Sequence, residues 1–350
     1  MSYYILPKNT NTVHVNPQYS ADVCGPYISH SLFQRYNEIA GQLCDMFGND
    51  EDLSNHTLEE AVSIIHPCDF VYSNVPGSNQ SVSKLKYSSR MFYDLIEIYG
   101  TLNVLDAYTE ISTLSTLHIT RCGVELIDCF ETFREQPDDV HIVLSDISID
   151  NNLRNTKVDF LLFETDVSNY FVSLIQAVIV ILRNQQCRGT AVIKIDSVFH
   201  KPVSDVLYLL TSLYDKVYIA KPSTSNATTF ERYIVCKSFV YNEQAMSYLK
   251  LNCLKLIIFL KRLEGKQIHS VLHGDIPCYL KYKLDDLNVI VGQQQLDALG
   301  QIVAVYKHKN KDDKIDCLKK NNIHKSVAWC EKHGIPCNKF AEKTNMFLPI

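Results

Sequence analysis

No run of about 18 apolar residues occurs in this sequence, the length that would mark a membrane-spanning helix. The segment after Met1 turns polar almost at once and is followed by no small-residue cleavage site, so no secretory leader is legible. The expectation from both absences is a chain without membrane association that works in the cytoplasm. None of the twelve cysteines stands in a C-x-x-C pair, and Cys330 and Cys337, the tightest late pair, lack two further ligands at zinc-finger spacing. That excludes the common zinc modules and leaves reduced, mostly buried thiols and no metal site as the expectation. No internal repeat is evident, which excludes the solenoid architectures.

What is present fits a globular chain. Its 350 residues are 46% apolar and 21% charged, enough for one large α/β domain plus accessory regions. A formal net charge of −5 argues against a uniformly basic nucleic-acid binder. The charge is nevertheless uneven: acidic residues cluster at 49–52, while Lys307, Lys309, Lys311, Lys314, Lys319 and Lys320 crowd the C-terminal part. Such a region is compatible with RNA contact, and equally with a solvated helical face.

Residues 1–75 carry helical stretches at 31–46 and 57–65 and read as an N-terminal extension. The turn-rich 76–81 precedes a predicted helix over 84–99 that Gly100 would end. Strand-like apolar runs recur at 103–105, 140–144, 191–195, 217–219 and 233–236, with a long helical stretch at 167–183. That alternation predicts an α/β fold with a doubly wound, mostly parallel sheet over 76–240, whose site residues stand at the carboxyl ends of strands. From 241 to 350 the pattern is mainly helical and reads as a C-terminal extension.

The stretch 189–239 carries the most chemistry. Ala191, Val192, Ile193 and Ile195 form an apolar strand interrupted by Lys194, and a lysine in such a place needs a partner. A polar loop from Lys221 to Thr229 then leads to Glu231 and the strand Tyr233-Ile234-Val235-Cys236. Gly189, Lys194, Lys221, Pro222, Ser225, Glu231, Tyr233 and Val235 follow a G-x-x-x-x-K strand, a helix, and a K-P-x-x-S-R-x-x-x-E-x-Y-x-V loop and strand. This pattern resembles the FtsJ-like RNA 2′-O-methyltransferases, departing from it at Asn226, where the family usually has arginine. The resemblance implies a Rossmann-like fold, S-adenosyl-L-methionine as cofactor, and methyl transfer to a ribose 2′-hydroxyl of capped RNA. It is most like the divergent versions in large cytoplasmic DNA viruses, which implies viral transcription or capping proteins as partners, in the host cytoplasm or the virion.

The family performs the transfer with a Lys-Asp-Lys-Glu tetrad, in which a lysine acts as base and carboxylates orient it. The resemblance maps its third and fourth members to Lys194 and Glu231. Asp146, closing the apolar strand Val140 to Leu144, is the expected second member, with Asp166 and Asp150 as rivals; Asp166 also reads as a helix cap. Lys86 is the expected first member and Lys84 the fallback. A competing register aligns Ser89-Arg90 and sets Asp94 where that lysine belongs, which would leave a dead enzyme.

The cofactor turn is expected after a first strand at 103–105, and residues 103–111 hold no glycine there. Asp106 and Glu110 are the candidates for the cofactor's amino group, and Asp128 for its ribose or adenine. Lys221, Ser223 and Ser225 are the candidate RNA contacts, with Tyr87 or Tyr93 as stacking residues or core. The alternative function is a methyltransferase fold without catalysis, serving as an RNA-binding or assembly subunit of a viral transcription or polyadenylation complex.

Overall fold

The computed structural model describes residues 1–20, 25–48, 56–145, 156–240, 243–307 and 312–338. In chain order its strands are β1 (Ser2–Leu6), β2 (Val15–Ser20), β3 (Ser115–Ile119), β4 (Val140–Leu144), β5 (Val158–Glu164), β6 (Gln185–Ile195), β7 (Tyr214–Lys221), β8 (Arg232–Phe239) and β9 (Gln267–Leu272). Its helices are α1 (His30–Gly48), α2 (His56–Ile65), α3 (Arg90–Leu102), α4 (Glu125–Glu131), α5 (Tyr170–Asn184), α6 (Lys201–Leu213), α7 (Glu243–Lys261), α8 (Cys278–Lys307) and α9 (Asp312–Lys332). By its internal contacts the chain divides into two compact units. The first comprises Met1–Phe33, Thr101–Lys221 and Glu231–Ile290; the second comprises Gln34–Gly100, Pro222–Phe230 and Val291–Ile350. The units interleave along the chain instead of following one another as three consecutive blocks.

The first unit is built on a seven-stranded sheet in the order β1-β7-β8-β6-β5-β3-β4. Strands β4, β3, β5 and β6 pair in parallel. Strand β8 is antiparallel to both β6 and β7, and β1 is antiparallel to β7. The doubly wound, mostly parallel sheet expected from the sequence is therefore present. Strand β5 reads Val-Asp-Phe-Leu-Leu-Phe-Glu with its apolar residues buried, as a strand covered on both faces requires. Helix α5 buries Leu174, Ile175, Val178 and Ile181, and α6 opens with Pro202 in its first turn, where a missing N–H costs nothing.

Gly189 has a packing reason. A Cβ there would lie 2.7 Å from the Asp159 carbonyl oxygen and 2.9 Å from that of Gln186. The residue before it, Arg188, has φ of 62°, and the β5–β6 register shifts between Val158 and Phe160, so glycine marks a bulge where two backbones close in.

Two sequence expectations change here. Residues 103–105 form no strand: Asn103 has φ of 50°, and Asp106–Tyr108 is a short 3-10 helix. The first strand of the parallel set is instead β3. Its Ser-Thr-Leu-His-Ile lacks an apolar pattern because Thr116 and His118 are buried and serve each other: the Thr116 hydroxyl lies 2.9 Å from His118 Nε2 and 2.7 Å from His141 Nδ1 on β4. Burial pushes the His118 ring down to about 3, with the neighbouring His141 adding to the effect, so His118 stays neutral in its ring of Phe130 and Phe160.

The second unit has a small core of Leu43, Ala61, Ile65, Ala298, Leu299 and Ile302. Its α3 begins at Arg90, later than the expected residue 84, because 84–89 is held in extended and turn conformation: Lys84 N–H donates to the Pro336 carbonyl and Tyr93 hydroxyl to that of Leu85. No helix among the described residues is long and apolar enough to cross a membrane.

Candidate active site

The chain leaves β3 for β4 on one side and takes up β5 and β6 on the other, so the order reverses between β3 and β5. In open α/β sheets, ligands bind outside the carboxyl ends of strands at such a switch point. A cavity of about 440 Å³ lies there, lined by Thr120, Arg121, Ser145, Glu164, Asp166 and Asn169 among others, within the size range of small-molecule sites.

Glu164, the last residue of β5, organises this end of the sheet. One carboxylate oxygen accepts from the Thr120 hydroxyl at 2.8 Å and the Arg121 N–H at 3.1 Å; the other accepts from Lys194 Nζ at 3.3 Å. Burial alone would raise its pKa, but the Lys194 charge and the Thr120 and Arg121 donors outweigh it and hold the carboxyl below the usual carboxylate range. Lys194 is the register partner of Glu164 in the β5–β6 ladder and also meets Glu231 Oε1 at 2.6 Å. Its ammonium thus bridges two carboxylates at the carboxyl end of β6.

Glu231 stands just before β8, its backbone carbonyl accepting from Lys221 Nζ at 2.8 Å. The β6–β8 register pairs Lys194 with Tyr233 and Ile195 with Arg232. Asp196 follows directly after β6, and burial together with the Glu231 charge raises its pKa. Arg232 is wholly buried; its Nη1 donates to Asn288 Oδ1 at 2.8 Å, and burial lowers it to about 10.

Asp166 lines the cavity, half-buried, accepting from the Ser168 N–H at 3.1 Å and paired with the Arg121 guanidinium. The Ser168 donor first and Arg121 second hold its carboxyl low. It caps the turn leading into α5.

The cofactor candidates are corrected by the true position of the first parallel strand. Asp106 and Glu110 are exposed and stand before β3, on the side where Tyr108 hydroxyl donates to the Asp159 carbonyl at the start of β5. That is the amino end of the sheet, opposite the cavity. Asp128 is exposed on α4, in the helix that follows β3. The turn after β3 is Thr120-Arg121-Cys122-Gly123, and Gly123 has φ of 63°, a left-handed conformation that glycine adopts without strain. The expected absence of glycine from this turn thus came from placing the first strand too early.

The residues around the cavity fit an α-amino-acid end such as that of S-adenosylmethionine. Arg121 would take the carboxylate and Asp166 the ammonium, so that an exposed ion pair, 65% and 37% accessible, would be exchanged for two ligand contacts.

The other candidates are dispersed. Asp146 lies outside the described residues; β4, which precedes it, is the sheet edge beyond β3. Lys86 is exposed ahead of α3 in the second unit. Ser225 is not a surface residue: it is 2% exposed, and its carbonyl accepts from His66 Nε2 at 2.7 Å. Ser223 gives its N–H and hydroxyl to Glu97 at 2.7 and 3.0 Å. Tyr93 is core, and Tyr87 stacks on Phe92 at 3.7 Å. Sequence reasoning missed Glu164; the signal was a carboxylate closing the apolar run Phe160 to Phe163.

Residues 85–239 match the family model described as FtsJ-like methyltransferase, a family that typically uses S-adenosylmethionine. No curated protein matches the chain. Among solved structures, the "crystal structure of a probable spermidine synthase from Corynebacterium glutamicum ATCC 13032" is similar at 11% identity, covering 57% of this chain and 88% of that chain with a TM-score of 0.34. A likeness so slight carries no argument.

Proposed function

We propose that the chain is an S-adenosylmethionine-dependent mRNA cap (nucleoside-2′-O-)-methyltransferase, acting on capped RNA in the host cytoplasm or virion of a large DNA virus. The observation that carries the reading is Lys194 Nζ, 2.6 Å from Glu231 and 3.3 Å from Glu164 at the carboxyl end of β6, one strand from the switch-point cavity. Bound S-adenosylmethionine would supply an electrophilic methyl group. Lys194 takes the proton of the ribose 2′-hydroxyl as a neutral amine, after its ammonium has released a proton to solvent, and the two carboxylates fix its Nζ in place. Glu164 also ties Lys194 to the Thr120–Arg121 turn, so base and cofactor turn share one carboxylate. Lys86 and Asp146 stay as the first and second tetrad members proposed from the sequence, and Lys221 as an RNA contact.

A specific observation favours a second reading. Helix α3 starts at Arg90, which suits the register that sets Asp94 within it, and Asp94 is buried and accepts from the Thr224 hydroxyl at 2.5 Å. An aspartate there in place of a lysine fits a non-catalytic RNA-binding or assembly subunit. Calorimetric titration with S-adenosylmethionine, followed by methyl transfer to a capped RNA, separates the two. Saturable heat and transfer support the enzyme; no heat and no thermal shift at millimolar cofactor sink it.

A further inference from the structure

We propose that the outward face of α7 is a docking surface for an acidic amphipathic helix of a partner protein. The inward face of α7 is fixed. Leu249, Cys253, Leu256 and Phe259 are buried in the core of the first unit, and Tyr19 stacks on Phe259 at 4.3 Å. Asn252 exchanges hydrogen bonds with the β2 end of the chain, its Oδ1 accepting from Val15 N–H and its Nδ2 donating to the Val13 carbonyl, each at 3.3 Å.

The opposite face is apolar as well. Leu251, Leu254 and Ile258 are 49%, 54% and 41% exposed, at i, i+3 and i+7, and so form one stripe about 10 Å long. A helix with two opposite apolar faces is ordinarily covered on both. The polar residues beside the stripe are cations: Lys250 and Lys261 lie on one flank, Arg262 and Lys255 on the other. No acidic residue occurs between Glu243 and Glu264. The positive field extends beyond the helix, since Lys157 beside α5 is lowered in pKa by its burial and by Lys250.

This combination selects the occupant. Three aliphatic residues at helical spacing receive the ridge of a second helix, and a rim of one sign asks for carboxylates on the partner. A second copy of this chain would set Lys250, Lys261 and Arg262 against themselves. A lipid surface would want aromatic residues at its interface and a helix free to roll; the stripe has none, and α7 is pinned. RNA would leave the aliphatic centre facing phosphates.

The test uses the full chain and a fluorescein-labelled synthetic helical peptide with leucines at i, i+3 and i+7 flanked by glutamates, read by anisotropy. Its twin has lysine for each glutamate. Saturable binding of the acidic peptide is expected, weakened at least tenfold by Leu254→Glu and about tenfold by raising salt, with the twin not bound. The Lys250→Glu/Lys261→Glu variant should reverse the preference. Thermal melting of each variant confirms that these exposed substitutions leave the fold intact. Equal binding to wild type and Leu254→Glu, or equal binding of the two peptides, overturns the proposal. A Leu254→Glu-sensitive association with phosphatidylserine vesicles or with a short RNA, in place of the acidic peptide, overturns it as well.

Discussion

Two groups of carboxylates in this molecule are held in opposite ways. In the first unit, Glu164 and Glu231 grip the Lys194 ammonium, and the three side chains keep 15%, 22% and 22% of their surface. In the second unit, Asp94 and Glu97 are each 1% exposed, and their donors include the Thr224 hydroxyl on Asp94 and the Ser223 N–H and hydroxyl and Trp329 Nε1 on Glu97. The first arrangement leaves a cation within reach of a ligand. The second spends its carboxylates on fixing the 222–225 loop, because a buried charge with several donors is stable only while every donor stays in place. Accessibility, more than charge, separates the two groups.

The sharpest way to break that comparison is Lys194→Ala. Methyl transfer to capped RNA should fall by about a thousandfold, with cofactor affinity by calorimetry within about twofold; undiminished turnover would remove Lys194 from the chemistry. Glu97→Ala should cost roughly 3 kcal/mol of stability in urea denaturation, because three donors lose their acceptor in a dry site. Glu231→Ala should cost about 1 kcal/mol or less. Equal losses would show that the two groups are not different in kind.

Glu164→Gln addresses pH. A depressed carboxyl contributes stability that is fully present above its unfolded value of about 4.3 and is lost as pH falls through its lower folded value. The wild type should therefore lose stability faster than the variant in an acid titration below about pH 4. Parallel acid limbs would show that Lys194 does not depend on Glu164. The smallest effect is expected from Arg121→Gln, which should leave the melting temperature unchanged while weakening S-adenosylmethionine binding by about tenfold. An unaffected affinity would move the cofactor's carboxylate elsewhere.

The pairing of Lys194 with Glu231 was legible because an isolated charge in a strand calls for a partner, and a glutamate stands ahead of another strand. Strand β3 was not legible. Thr116 hydrogen-bonds with His118 Nε2 and His141 Nδ1 inside the sheet, so a buried strand carries polar letters. Val104 and Leu105 deceived in the reverse sense, being buried by a turn with no strand. With the first strand placed there, the expected cofactor turn fell on 103–111, with Asp106 and Glu110, and not on the turn after β3 that holds Gly123. Glu164 was overlooked because it ends a run whose pairing with β6, and so its register with Lys194, exists only in three dimensions.

Strands β5 and β6 work as the two arms of a forceps whose pivot is Gly189. The Asp159 carbonyl presses on that glycine at one end, and Glu164 meets Lys194 five rungs away, roughly 17 Å along the strands. A single methyl group at the pivot, remote from every charge, would splay the arms and loosen the grip on the ammonium. Mutational damage to the chemistry should therefore map to a place where no ligand ever comes.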